Sequence, residues 1–538
     1  MQPLLHRLLR TALLATSILA SAAAAAPPSD PRLANLPAYI ERARAELHNL
    51  GLAVVVVQDG QVLYAEGFGH KEQGQPDPVG PDTLFQIGST SKAFTTAALG
   101  ILVDEGKLRW DDRVIDYLPD FQLQDPWLTR QLTVRDAVAH RSGIRDTGHF
   151  VFSVMAPDAV VEQLRYIPAE QPFRDSFQYS NLMYAVAGKI IERVSGQSWH
   201  AFVRERLLQP LQMRRSGTSA YEVWDRQYVT PTFWGTAAAG RPHHRDARDP
   251  DVAMPHFVDA NNRFVRIPWQ SYDNAAAAGT IVSSANDLAH WLIMHLDEGR
   301  YGGRPILQAE TIKALHAAQN LHMRDVYPFT ESKEGYALGW MLARHHGRPY
   351  VWHSGGILGF PAYVSMIPEA RIGVAVIANS AKASAGDPYA LHAAIALQVY
   401  DQLLGAPAHD WISDFATRAG KADQQARDTE AAHQAGRPKG APPSLPLAAY
   451  AGVYEDTALH SGPVTLRVDG KRLHLSFAGT GALSGHLEPW HHDVFRLRID
   501  LPYDFGQFPS FALGPAGEVV SMSLFGSTYQ RLSHQDAK

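Results

Sequence analysis

Residues 85–94 read Phe85-Gln-Ile-Gly-Ser-Thr-Ser-Lys-Ala-Phe94 (FQIGSTSKAF), with three hydroxyls and an ammonium in four consecutive positions behind a short apolar run. Two readings compete for this stretch. Ser and Thr are favoured at helix N-caps, where their oxygens satisfy orphan backbone N–H groups, and Lys92–Leu102 has helical character. A serine three residues before a helical lysine also shares its face. Ser89 and Lys92 would then be a nucleophile and its base, provided that something lowers the proton affinity of the lysine. Ser91, two positions on, is expected to point away from that face. S-x-x-K alone is too short to decide.

At 538 residues the chain is too long for one core, so two or three domains are expected. Hydrophobic content of 45% and charged content of 19% describe an ordinary globular protein. The formal net charge is −5, and no basic stretch is long enough for a nucleic-acid surface. There are no cysteines, which excludes disulfides, a cysteine nucleophile, thiolate metal sites and lipidation of an N-terminal cysteine. The first residues carry Arg7 and Arg10, then the apolar run TALLATSILA, then small residues before a proline pair. This is the order of a secretory signal peptide cleaved near Ala26, and it predicts an exported, periplasmic or secreted protein. No later run reaches transmembrane length.

GLAVVVVQDGQVLYAEGFG (51–69) predicts two strands around an Asp59-Gly60 turn, after a helix at Glu41–Leu50. Leu84–Ile87 leads into the opening stretch and a helix to about Glu105. Helices and loops dominate from Trp110 to about Leu296, where Ser284-Ala-Asn-Asp287 resembles a capping box. Strand patterns return at Tyr336–Leu342, Tyr350–His353, Ala362–Ile367 and Ile372–Ile377, and a helix follows at about Ala390–Leu404. Strands at both ends with helices between them predict an α+β domain whose sheet is assembled from both ends. Four segments result: a signal peptide at 1–26, a large α+β domain at 27–409, a spacer at 410–446 and a small all-β, barrel-like domain at 447–538.

Two further motifs accompany the first. In FQYSNLMYAVAGKI (177–190), Tyr179 and Asn181 precede an apolar helix and could project into a cleft; an N-cap at Ser180 or Asn181 is the plain alternative. In VWHSGGILGF (351–360), His353-Ser354-Gly355 ends a strand, and Gly355-Gly356 allows close backbone approach to a ligand. Backbone N–H groups there could join that of Ser89 around an oxyanion.

In the order S-x-x-K, Y-x-N, H-x-G, the motifs resemble those of the serine β-lactamase and penicillin-binding-protein superfamily, in its class C β-lactamase-like branch. TVRDAVAHRSGI (133–144, with Ala137 where leucine is usual), AAAAGTIVSSANDLAHWL (275–292) and YALGW (336–340) are similar to recurrent segments of that family. YAGVYED (450–456) and LEPWHHDVF (487–495) resemble the β domain appended to many of its hydrolases. The resemblance implies an antiparallel sheet flanked by helices with a helical subdomain, and no metal or cofactor. It also implies roles. Ser89 is acylated, Lys92 and Tyr179 share its proton, and Asn181 orients Lys92 and touches the substrate. The N–H groups of Ser89 and Gly356 form the oxyanion hole, and His353, Ser354 and Gly355 contact a small-molecule or peptide substrate.

The departure is His353, where β-lactamases usually place lysine. A histidine is mostly neutral near pH 7, which weakens recognition of a carboxylate. An esterase or D-amino-acid-type peptidase is therefore expected. The alternatives are a β-lactamase or D-alanyl-D-alanine carboxypeptidase and, outside the enzymes, a silent penicillin-binding sensor module. The cluster His243-His244-Arg-Asp246-Ala-Arg-Asp249 reads as a solvated loop rather than a metal site, and His491-His492-Asp493 belongs to the β-domain motif. Phe233, Trp234 and Met254 are candidates for lining the cleft or packing a lid.

Overall fold

The computed structural model describes residues 30–146, 155–231, 242–259, 261–323, 332–382, 387–456, 463–477, 484–499 and 506–532. The expected leader and the residues Phe233 and Trp234 lie outside them.

Gly51–Gln58 (β1) and Gln61–Gly69 (β2) form the expected hairpin, and Asp59 and Gly60 have φ of 50° and 77°. Two positive φ values give the turn whose twist matches that of its strands. The far end of the domain contributes Ser332–Tyr336 (β3), Met341–His345 (β4), Arg348–Ile357 (β5), Phe360–Ile367 (β6) and Ile372–Ala378 (β7). The sheet runs β3-β4-β5-β6-β7-β1-β2, antiparallel throughout, with Val55 of β1 opposite Ala375 of β7. The α+β expectation, with a sheet assembled from both ends, holds.

The longer helices around the sheet are Leu36–Glu46 (α1), Ser91–Asp104 (α2), Asn181–Ser195 (α3), Ala285–Leu296 (α4), Ala390–Leu404 (α5) and Trp411–Gly436 (α6). Leu52, Val54 and Val56 of β1 share an apolar cluster with α1 and α5, while Ala53, Val55 and Val57 share another with α2, α3 and α4. Successive strand residues face opposite sides. Covering both faces explains why GLAVVVV is apolar without a break.

Two local readings change. Tyr336–Leu342 is a reversal between β3 and β4, not one strand: Gly339 has φ of 78°, and a Cβ there would lie 2.8 Å from Thr96 Oγ1 and 3.0 Å from the Lys92 carbonyl oxygen. Only glycine lets this turn rest on α2. At α4, Ser284 Oγ accepts the Asp287 N–H (3.2 Å) as expected, but the Asp287 carboxylate accepts the N–H groups of Arg215 (2.9 Å) and Ser216 (2.7 Å) instead of closing a capping box.

The stretch read as a spacer begins with α6, which is docked. Ile412 and Phe415 are buried in the α5 cluster, Trp411 Nε1 donates to Asp401 (2.7 Å), and Lys382 pairs with Asp423 (2.6 Å). Eight strands from Gly452 to Arg531 then close a barrel filled by side chains such as Tyr454, Leu475, Phe495 and Tyr529. Phe257, Ile267 and Leu358 of the first domain pack into the same apolar cluster, so the barrel sits beside the turn that follows Gly356. A chain ending at Arg437 should melt cooperatively, and one ending at Ala408 should melt lower by roughly 5–10 °C, since burial of Ile412 and Phe415 is worth about 1.5–3 kcal/mol each. Equal melting temperatures by circular dichroism would show that α6 is not part of the first domain's core.

Candidate active site

Ser89 lies in a 3-10 turn, Gly88–Thr90, directly before α2. Gly88 has φ of 52°, and a Cβ on it would lie 2.5 Å from the Gly356 nitrogen. A Cβ on Gly355 would run into the Ile87 carbonyl oxygen. These glycines let the end of β5 lie against the serine turn, bringing the Gly356 amide beside Ser89. Ser91 does point away, but it is not idle: its hydroxyl, fully buried, accepts the Ile281 N–H (3.1 Å).

One turn along, the Lys92 side chain is completely buried. Its Nζ lies 2.9 Å from Ser89 Oγ, 2.6 Å from Asn181 Oδ1 and 2.9 Å from the Ala278 carbonyl oxygen, and the rings of Tyr179 and Tyr184 are 4.8 and 5.2 Å away. Burial pulls its proton affinity down to about 7, against an opposing pull from the Asp146 charge. A neutral amine has two N–H bonds and one lone pair. Asn181 Oδ1 and the Ala278 carbonyl can take the two hydrogens, which leaves the lone pair facing Ser89 Oγ.

Tyr179 stacks on His140 (centroids 4.2 Å apart, planes at 30°). His140 is buried with φ of 55°, and its Nδ1 accepts the Ser180 N–H at 3.0 Å. Ser180 is the N-cap residue of α3, as expected, but the side-chain bond to the helix N–H is supplied from elsewhere. Asp146 Oδ1 accepts the Leu182 N–H (3.1 Å) and faces Ser180 Oγ (3.2 Å), while Asp146 Oδ2 accepts Asn181 Nδ2 (2.7 Å). Neither His140 nor Asp146 was singled out from sequence. His140 lies within TVRDAVAHRSGI, and Asp146 follows two residues after it.

His353 is read from sequence as a catalytic and substrate-contacting residue, and its surroundings revise that expectation. It is 1% exposed, its Nδ1 donates to the Ser354 carbonyl (2.6 Å), and its Nε2 faces Tyr336 OH at 3.1 Å. Burial, then the Lys92 charge, pushes its proton affinity down to about 3, so the ring is neutral with both nitrogens engaged. Ser354 and Gly355 are also buried, whereas Gly356 is exposed, and a Cβ on it would lie 2.7 Å from Tyr389 OH. Ser89, Lys92, Tyr179, Asn181 and Gly356 thus converge, and His353 forms a wall behind them.

The remaining clusters lie elsewhere. The loop is exposed at His243, Arg245, Asp246 and Arg248, as expected, but His244 is buried, and the Nδ1 atoms of His243 and His244 lie 2.6 and 2.9 Å from the buried Glu72 carboxylate, which also pairs with Arg266. Asp493 of the His491-His492-Asp493 run accepts Ser444 Oγ (2.9 Å) and Tyr450 OH, tying the linker to the barrel. Met254 is a core residue. Among the described residues, His345, His346 and Asp401 form one group with potential metal-ligand atoms within 4.8 Å of one another. Both imidazole Nε2 atoms stand 2.8 Å from Asp401 Oδ1, a hydrogen-bond length, and Trp411 takes the other oxygen.

Comparison with known proteins bears on the family and the fold. The family model described as Beta-lactamase matches residues 36–398, and one described as a domain of unknown function (DUF3471) matches residues 436–536. The chain is 27% identical over 495 residues to the unguisins hydrolase of Aspergillus violaceofuscus, covering 87% of this chain and 83% of that protein. Its fold is similar to that of the octameric penicillin-binding protein homologue from Pyrococcus abyssi (TM-score 0.56, 24% identity, 92% of this chain and 99% of that one). It is also similar to that of the D-amino acid amidase from Ochrobactrum anthropi SV3 (TM-score 0.53, 20% identity, 69% and 98%). The match over residues 36–398 spans more than half of the chain, and the protein belongs to the β-lactamase family of serine hydrolases.

Proposed function

We propose that the protein hydrolyses ester or amide bonds of small molecules or peptides through an acyl-serine intermediate. One observation carries the reading: the buried Lys92 amine lies 2.9 Å from Ser89 Oγ, and its other hydrogen-bond partners among the described residues are an amide oxygen and a carbonyl, not a carboxylate. Ser89 Oγ attacks the substrate carbonyl, and its proton passes to the Lys92–Tyr179 pair. The developing oxyanion is held by the N–H groups of Ser89 and Gly356. The pair then protonates the leaving group, and water hydrolyses the acyl-enzyme.

The neutral, internally bonded His353 favours this over β-lactamase action, because it offers no cation to a substrate carboxylate. A charge-assisted bond is worth about 1.5–3 kcal/mol and a neutral one about 0.5–1.5, a difference of about ten-fold in specificity. The hydrolase activity of the similar unguisins hydrolase and the name of the structurally similar D-amino acid amidase are consistent with an amide or ester substrate.

Ser89→Ala should leave the fold intact and lower kcat by several orders of magnitude; retention of more than about a tenth of the activity would remove the nucleophile assignment. Lys92→Ala and Tyr179→Phe should each cost heavily but combine to less than the sum of their losses, since both act on one proton. Strict additivity in the double-mutant cycle would mean separate roles. Finally, kcat/KM for a p-nitrophenyl ester of a short acid, or for a D-alanine anilide, should exceed that for nitrocefin by about ten-fold. A clear win for nitrocefin would instead identify a β-lactamase.

A further inference from the structure

Asp146 is a half-buried carboxylate that the acyl-serine reading does not use. It reaches Lys92 through a single amide. Its Oδ2 accepts Asn181 Nδ2 at 2.7 Å, and Asn181 Oδ1 faces Lys92 Nζ at 2.6 Å. A carboxylate cannot donate to the amide, so it fixes which end of Asn181 points where: nitrogen toward Asp146, oxygen toward the amine. Without that anchor the amide could turn its NH2 toward Lys92 and compete for the lone pair that Ser89 needs.

We propose that Asp146 is a positioning residue for Lys92: its charge, relayed by the Asn181 amide, sets both the orientation of that amide and the pH at which the amine can accept the Ser89 proton. This rests on the reading of Lys92 as part of the proton-accepting pair. Burial raises the proton affinity of Asp146, but the donors converging on it, Leu182 N–H, Asn181 Nδ2 and Ser180 Oγ, favour the anion. An anion one amide away holds the Lys92 proton affinity up, against the burial that lowers it.

Of the other groups around Lys92, Tyr179 and Tyr184 present rings to Nζ, and burial raises the proton affinity of the Tyr184 phenol, which keeps it neutral. His140 and His353 are kept neutral, by burial first and the Lys92 charge second. The Tyr272 phenol, which senses the Asp146 charge, is pushed well above its ordinary range by burial. Asp146 is thus the charged group that tunes Lys92 among the described residues.

The test is the pH dependence of kcat/KM with a p-nitrophenyl ester. The wild-type protein should lose activity as pH falls through about 7. Asp146→Asn should move that acidic limb down by about one pH unit, because the cation loses a partner roughly two hydrogen bonds away. Asp146→Glu should return it toward the wild-type position. Ser180→Ala, which removes one bond to Asp146 but keeps its charge, should leave the limb in place. Should Asp146→Asn fail to fold, Asp146→Ser is the neutral variant to read. If the neutral variant melts lower but keeps the wild-type limb, Asp146 only caps α3 and the inference is overturned. An active Ser89→Ala protein would bring down the hydrolase reading itself, whereas an inactive one with an unmoved limb in Asp146→Asn overturns this inference alone.

Discussion

The desolvation of one amine organises this structure. An ammonium buried without a bonded counter-charge is costly, and the cheaper outcome is loss of its proton. For Lys92 the consequence for stability has a definite sign. The unfolded chain keeps the proton up to about 10.5, and the folded chain gives it up near 7. Folding therefore releases a proton in between. The site costs the fold most below pH 7, and that cost fades as pH rises to about 10.5. A group kept at such expense belongs to chemistry more readily than to packing.

The surrounding fold keeps that amine dry and aimed. Residues 91–102 of α2 are all buried, and Phe94 stacks on Trp291 of α4 with centroids 3.7 Å apart. A polar relay sets the carbonyl that Lys92 meets: Trp199 Nε1 donates to Thr95 Oγ1 (3.0 Å), and Thr95 donates to the Ala277 carbonyl (2.7 Å), one residue before Ala278. The turn at Gly339 closes over the same helix, with Thr96 Oγ1 donating to the Leu338 carbonyl (2.9 Å). Across the cleft, the end of β5 can reach the serine turn only because neither Gly355 nor Gly88 carries a side chain.

Much of this was legible in the residues. The unbroken apolar run of β1, the Asp59-Gly60 turn and the glycine pair at 355 and 356 each point to a local geometry that the fold contains, and Ser89, Lys92, Tyr179 and Asn181 do come together. The failures have physical causes. Tyr336–Leu342 alternates like a strand, but a reversal at Gly339 is stabilised by contact with α2, which no local pattern reveals. His353 was expected to contact substrate on the resemblance alone, yet its ring bonds the adjacent Ser354 carbonyl and Tyr336 OH. Asp146 was missed because an aspartate in a Gly-containing loop reads as turn chemistry. Its partners lie 34 to 36 residues away, beyond any sequence periodicity. Ser180 is the N-cap residue of α3, as expected, but a remote carboxylate accepts the helix N–H that its own hydroxyl could have taken.

The central claim is that Lys92 is a neutral amine near physiological pH, and its own titration tests this most directly. In protein carrying 13C-labelled lysine ε-carbons, the resonance absent from the Lys92→Ala variant should titrate near pH 7. A Lys92 resonance that stays that of an ammonium up to about pH 10.5 would contradict the account, because a fully protonated lysine cannot take the Ser89 proton.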